Sequence, residues 1–476
     1  MTRRALVWFR NDLRLHDNQV LREALRNAEE IIPIYIFDDR IFRGETNFGF
    51  PKTGKFRAQF IIEAVQDLRN NLEARGSKLI VRVGKPEEII PDIARQAQTS
   101  WVFCNRERTN EEVRVQDALE KKLWQIGQEI RYERGKMLYY TADLPFPISQ
   151  TPEIFTNFRK EVERITPVRE PLPTLEKIPS STFNIQQGDI PTVADFGHTP
   201  IEPDPRAAMK LKGGETEGLA RLKYYLWDTN RIKTYEETRN GLIGADYSSK
   251  LSAYLATGCL SPKKIYYELK KYERERGENK STYWLFFELL WRDYFRLLGK
   301  KYGNAIFQLG GLSGKIDKSW RVDERIFSLW AEGKTGIPFI DANMRELNAT
   351  GFMSNRGRQN TASFLVKDLK ISWTMGAEWF ESQLIDYDPC SNYCNWLYIA
   401  GVGTDPRENR YFNILSQAQR YDPSGEYIKL WLPELAQVPV EKIHRPDVLS
   451  FDEQTRFKVK LGAQYPKAAV QTAKWV

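Results

Sequence analysis

Over the first 135 residues, short apolar runs alternate with amphipathic ones. ALVWF (5–9), EIIPIYIF (30–37), KLIVRV (78–83) and SWVFC (100–104) are almost continuously hydrophobic, as strands buried on both faces must be. Between them, KFRAQFIIEAVQDLRNNLEARG and EEVRVQDALEKKLWQIG repeat their apolar positions at helical spacing. Each runs to a glycine suited to a helix end. Strand–helix alternation with connections this short predicts a parallel, doubly wound α/β domain over 1–135. No G-x-G-x-x-G follows the first strand, which argues against the usual dinucleotide-binding sheet.

Periodicity then vanishes. Residues 145–205 hold 11 of the 24 prolines, which predicts an inter-domain linker over 136–215. Phe146, Phe155, Phe158 and Phe183 imply that it lies on the protein surface rather than hanging free. Over 216–476 strand signals stop. Helical patterns follow one another to about residue 380, then comes a loop-rich stretch, then a short helical tail. The fold class expected is therefore α/β followed by all-α.

Composition narrows the function. Four cysteines, at 104, 259, 390 and 394, are too few for a disulfide framework, and three scattered histidines offer no second ligand pair for zinc. Metal and dithiol chemistry drop out. No run of about 18 apolar residues occurs and the N-terminus has no signal-peptide core, so the expectation is a soluble, cytoplasmic protein with no membrane partner. A net charge of +8 mildly favours a polyanionic partner, although a merely basic surface explains it equally well. Aromatic usage is more pointed, because ten of the thirteen tryptophans fall after residue 215.

Four stretches carry candidate chemistry. In FELLWRDYFRLL (287–298), Glu288, Trp291, Arg292 and Phe295 share one helix face. Such a mixed face fits a pocket wall for something aromatic and polar, or an amphipathic edge with a chance ion pair. MSNRGRQNTASFLVKDLKISW (353–373) repeats the pattern with Asn355, Arg358 and Gln359. YSSKLSAYLATGCLSP (247–262) places Ser248, Ser249 and Ser252 at a helix start, as phosphate donors or as simple caps. IDYDPCSNYCNW (385–396) offers Asp386, Asp388 and Asn392 among aromatic neighbours.

Those motifs, with WFRNDLRLHDN, EGKTGIPFIDANMRELNATGFMSNRGRQ, ASFLVKDL and GVGTDPRENRYFNI, resemble the photolyase/cryptochrome flavoproteins from about residue 5 to 435, in order. The resemblance implies an α/β domain, a linker and a helical domain holding FAD. It implies that Tyr235 and the Ser248, Ser249, Lys250, Leu251, Ser252 run contact the FAD phosphates and ribityl chain. Arg292, Asn355, Arg358, Asp386 and Asp388 match flavin-cavity positions, and Asn392 matches the one facing the flavin N5. Glu288 and Trp291 match residues that meet damaged bases, with Arg239 and Arg356 on the rim for DNA phosphates. Trp396, Trp373 and Trp320 match the family's electron relay. Arg358 is expected to pair with Asp386, keeping a buried carboxylate charged.

Gln359 and Tyr398 stand where DNA-repairing class I members carry Met and Trp, a pattern similar to cryptochrome DASH. Weakening that clamp raises the cost of flipping a dimer out of a duplex, a cost mostly absent in an unpaired strand. The resemblance thus implies repair of cyclobutane pyrimidine dimers in single-stranded DNA by a monomer. It also implies a 5,10-methenyltetrahydrofolate antenna on Glu112, or failing that Glu111, unless both acids simply favour a helix's first turn. The competing readings are a blue-light receptor that signals or regulates transcription, and a non-photochemical nucleic-acid-binding flavoprotein. Only about forty residues follow residue 435, where the resemblance ends, which favours the enzyme.

Overall fold

The computed structural model describes residues 2–179, 181–405, 407 and 410–475. Five parallel strands form one sheet in the order β3-β2-β1-β4-β5: β1 Arg4–Phe9, β2 Glu30–Phe37, β3 Ile80–Val83, β4 Trp101–Asn105 and β5 Glu129–Glu133. Alternation along β1 sends Val7 and Phe9 to one face, with α1 (Gln19–Asn27) and α2 (Lys55–Glu73). Leu6 and Trp8 go to the other, with α3 (Pro86–Gln96) and α4 (Asn110–Gln125). The sheet is doubly wound, and winding reverses at β1, as in open α/β folds. Four strands are legible in the sequence as apolar runs. The fifth, EIRYE, is an edge strand with only Ile130 buried, so it carries no hydrophobic run.

The connector is more ordered than its prolines suggest. It contains a helix, Phe155–Ile165, set between Pro152 and Pro167, whose Phe155 and Phe158 are buried. Phe183 anchors less, remaining 37% exposed.

Beyond it the described elements are helical: α5 Glu215–Lys223, α6 Lys280–Tyr302, α7 Pro338–Thr350, α8 Asn355–Ser363, α9 Trp373–Gln383 and α10 Pro389–Ala400 are the ones that matter for the site. α10 replaces most of the stretch expected to be loop. Asp388 is its N-cap, accepting from Ser391 N at 2.9 Å, and Pro389 takes the first turn, where its missing N–H costs nothing. Asn, Cys, Tyr and Trp are indifferent helix formers, which hides the element in the sequence. The serine run is also placed differently. Ser248 and Ser249 precede a five-residue helix, Ser252–Ala256, that no side chain caps.

The loop after β1, NDLRLHD (11–17), welds the two parts together. Arg14 is buried and donates to the carbonyls of His16, Asp17, Gly135 and Gly258 at 2.8–3.1 Å. Glu215 on α5 accepts from Leu15 N and His16 N at 2.8 and 2.9 Å and from His16 Nδ1 at 2.5 Å. Gly258 has φ +71°, and a Cβ there would drive into the Asn11 carbonyl. Gly258→Ala should therefore lower stability by about 1–3 kcal/mol from backbone strain alone. Calorimetry should show the unfolding midpoint falling by about 1–3 °C. An unchanged midpoint would mean that the seam does not hold the fold.

Candidate functional site

The helical part encloses a cavity of about 330 Å³, within the range of small-molecule sites. Its wall takes Glu288, Trp291 and Arg292 from α6 and Asn355, Arg358 and Gln359 from α8. Asp386 and Asp388 come from the turn before α10, and Asn392, Trp396 and Tyr398 from α10 itself. Both mixed helix faces are thus cavity walls. Segments spread over more than 100 residues of sequence converge on one space.

Each polar group is held by specific partners. Arg358 donates Nη2 to Asp386 Oδ2 at 2.9 Å and Nε to the Met353 carbonyl at 2.9 Å. Asp388, besides capping α10, accepts from Arg296 Nη1 at 3.2 Å, with both side chains buried. Burial pushes the Asp388 carboxyl up, but Arg296 and Arg292 outweigh it and hold it down at about 2. Arg296 is a site residue that the motifs do not single out. It lies eight residues after Glu288 on the same helix, so extending the face by one more turn finds it. Arg292 donates to the carbonyls of Lys136 and Leu255 at 2.7 and 3.1 Å; burial first, then Arg296, pulls it down to about 10. Asn392 donates Nδ2 to the Ala377 carbonyl at 3.0 Å, which fixes the amide and leaves its oxygen and second N–H for the cavity.

The mouth is aromatic and basic. Trp291 stacks on Phe155 of the connector, with centroids 3.7 Å apart and planes at 9°, and meets Tyr398 edge-on at 5.7 Å. Phe155 belongs to none of the sequence motifs, and its setting among prolines marks it only as a connector anchor. Glu288 is ion-paired with Arg239. Arg356 lies outside the wall, donating to Gln359 Oε1 at 3.0 Å and Asn240 Oδ1 at 2.9 Å over the Tyr421 ring.

Of the relay tryptophans, Trp396 and Trp373 are buried, and Trp320 is half-buried. Trp396 packs edge-on against Phe380 and Trp330, and a Cβ at Gly376 would overlap its ring. Trp373 donates Nε1 to the Leu309 carbonyl at 2.9 Å.

Tyr235 and the Ser248–Ser252 run lie outside the wall. Tyr235 and Leu251 are buried and Ser252 is exposed. Lys250, at φ +58°, is buried, with its ammonium over the Tyr247 ring at 3.0 Å and the Phe352 ring at 4.6 Å. Arg358 lies over the same Phe352 ring, which joins this run to the cavity. Burial holds the Lys250 ammonium well below its usual range, and its Nζ has no hydrogen-bond partner; nor has the buried Asp386 Oδ1. An unsatisfied buried amine and an unsatisfied carboxylate oxygen suit a ligand that brings anionic oxygens to the one, restoring its charge, and N–H donors to the other. Flavin adenine dinucleotide is such a ligand, and the residues fit it.

In the α/β domain, Glu112 accepts from Thr109 N and Oγ1 at 3.3 and 2.6 Å as the N3 acid of α4, and Glu111 pairs with Lys52. Burial and the neighbouring Glu107 push the Glu112 carboxyl up. Among the described residues there is no cluster of metal-ligating side chains, and no helix is long and apolar enough to cross a membrane.

Two family models match the chain: DNA photolyase over residues 5–177, and the FAD-binding domain of DNA photolyase over 284–475. A cryptochrome DASH of Gloeobacter violaceus is 51% identical over 98% of this chain and 93% of its own length. One of Xenopus laevis is 50% identical over 98% and 89%. The crystal structure of a Synechocystis cryptochrome superposes with a TM-score of 0.96 at 48% identity, covering 100% of this chain and 98% of its own. A bacterial class III photolyase from Agrobacterium tumefaciens follows at 0.86 and 28%, covering 100% and 96%. The chain belongs to the photolyase/cryptochrome family, carries its FAD-binding domain, and groups within it with the cryptochromes DASH.

Proposed function

We propose that this chain is a light-driven lyase that splits cyclobutane pyrimidine dimers, preferentially in single-stranded DNA. The supporting observation is the aromatic geometry of the cavity mouth. Trp291, backed by Phe155, offers one flat face, while Tyr398 stands at 81° to it and cannot act as a second parallel plate. A flipped dimer is stacked from one side only. One base–aromatic stack contributes about 1–3 kcal/mol, which covers little of the few kcal/mol needed to extract a paired dimer.

When bound, FAD supplies the light absorption and the transferable electron. The protein's own residues position the reactants. Glu288, ion-paired with Arg239, is an acceptor for a base N–H at the dimer edge. Arg239 and Arg356 meet backbone phosphates, and the Asn392 amide meets the flavin N5. Asp386 is paired with Arg358, and Asp388 is held ionised by Arg296, so both carboxylates would accept from flavin N–H groups. Trp396, Trp373 and Trp320 carry electrons inward from the surface. Lys250 with the Ser248–Ser252 run binds the phosphates. Glu112, whose carboxyl is pushed up by burial and Glu107, would hold a 5,10-methenyltetrahydrofolate antenna by sharing a proton with its pterin; Glu111 is already drawn to Lys52.

Under blue light at equal salt, dimers in single strands should be split at least about tenfold faster than those in intact duplex, and Trp291→Ala should weaken dimer binding by about 10- to 100-fold. Equal rates on the two substrates would defeat the account of the mouth, and no splitting of either would move the reading to a photoreceptor. Lys250→Ala should weaken FAD retention by about 10- to 100-fold, the worth of a charge-assisted hydrogen bond, as read by release of flavin fluorescence on dilution. Unchanged retention would remove Lys250 from the phosphate site. Trp396→Phe and Trp373→Phe should each bring photoreduction by an external donor close to background while leaving flavin content intact. Undiminished photoreduction in both would mean that electrons enter elsewhere.

A further inference from the structure

The surface around Trp320 has features that carrying an electron does not require. Residues 309–322 form an irregular segment fastened at both ends. Leu312 N and Ser313 N donate to the Val402 carbonyl at 2.8 and 3.3 Å, just past the end of α10. Arg321 N donates to the Lys370 carbonyl at 3.0 Å, and Ser372 N to the Arg321 carbonyl at 2.9 Å. Trp320 N reaches the Asp317 carbonyl at 3.2 Å, and Ser319 N the Asp317 carboxylate at 2.8 Å. Trp320 is thereby presented on a fixed platform rather than on a loose loop.

Two branched aliphatics flank it with their surfaces in solvent, Ile316 at 58% and Val322 at 61% exposure. Around them stand Lys315, Lys318, Arg321 and Lys370, all exposed, and none forms an ion pair among the described residues. Lys367, half-buried and donating to the Ala400 carbonyl at 3.2 Å, adds a fifth cation. Burial and the nearby charge of Lys370 push its ammonium down, as expected of crowded like charges. Asp317 is the one acid within 309–322; just outside it, Asp368 is paired with Lys474, Asp323 caps the following helix, and Glu324 is exposed, so the cations outnumber the free acids. The result is a small apolar centre inside a positive rim, at the outer end of the tryptophan series. That is the form of the weak, electrostatically steered contacts made by electron carriers.

We propose that this face docks an acidic one-electron carrier protein that reduces Trp320. A small anionic reductant would need the lysines but not Ile316 and Val322, whose exposed side chains give a protein partner apolar area to cover. The proposal rests on the relay reading above. Trp396 loses one electron toward the cavity, Trp373 refills Trp396, and Trp320 refills Trp373, leaving Trp320 one electron short. The reduced carrier donates that electron and departs oxidised by one, the indole returns to its neutral form, and no covalent bond forms or breaks.

The test uses the full-length, FAD-loaded protein and laser-flash detection of the tryptophan radical. Its decay is followed with a reduced acidic [2Fe–2S] protein, with a reduced basic c-type cytochrome, or with dithiothreitol as an uncharged donor. The acidic carrier should quench the radical at least about tenfold faster than the basic one at low salt, and the advantage should shrink as salt rises. The triple variant Lys315→Glu, Lys318→Glu, Lys370→Glu should lose that advantage while keeping its flavin content and its quenching by dithiothreitol. Equal quenching by both carriers, or an unaffected triple variant, would overturn the docking proposal while leaving the relay standing. Displacement of the carrier by an undamaged oligonucleotide would assign the patch to nucleic acid and overturn it too. No radical in the wild type with any donor would remove the relay reading, and the docking site with it.

Discussion

The buried ion pair between Arg296 and Asp388 is the contact on which the cavity depends. Asp388 starts α10, the helix that presents Asn392 and Trp396, and Arg296 lies on α6, the helix that presents Glu288 and Trp291. Removing one member of such a pair strands a charge in the interior, at a cost of about 3–5 kcal/mol. Neighbouring residues of α6 extend the attachment. Arg292 grips the main chain at Lys136 and Leu255, and Asp293 accepts from Leu138 N and Tyr139 N at 3.0 and 2.9 Å. The run W-R-D-Y-F-R therefore does three jobs in six residues: one side chain at the mouth, two on the main chain of neighbouring segments, and one under the cavity floor.

The wall of the cavity is legible in the sequence, because helical spacing alone groups Glu288 with Trp291 and Arg292, and Asn355 with Arg358 and Gln359. What joins those faces is not. The partner of Asp388 lies 92 residues away, and nothing in IDYDPCSNYCNW points to α6. The strand EIRYE and the helix α10 escape for opposite reasons. One buries a single residue, so it has no hydrophobic pattern; the other buries eight of its twelve residues, the polar Asn392 among them, so polarity does not mark its solvent face. The connector helix Phe155–Ile165 is hidden by the prolines around it. Motif resemblance reaches further than periodicity because it carries tertiary information: it leads one to expect Ser248 and Asp386, remote in sequence, near one ligand, which no spacing in the chain suggests.

Electrostatics and the packing of an aromatic cofactor pull this interior in different directions. A cavity for an aromatic cofactor favours apolar walls, yet this one buries two arginine–aspartate pairs. Fixed charges surrounded by fixed partners do not reorganise when an electron moves, so the surroundings of the reacting centre stay as folding left them. The tryptophans show the same economy of motion. Trp373 is tied to a carbonyl, and Trp396 is wedged against Phe380, Trp330 and Gly376.

The stack between Trp291 and Phe155 reaches beyond geometry. Phe155 comes from the connector, a part of the chain that tolerates change in most proteins because it carries no core of its own. In this protein the connector supplies the back plate of the mouth. Its stacking limits the rotation of Trp291, so the entropy of ordering that side chain is met during folding. Variation between residues 150 and 165 is consequently not neutral drift in a spacer. It retunes the rigidity of the mouth from outside the cavity wall, through a side chain that no motif of the helical part contains.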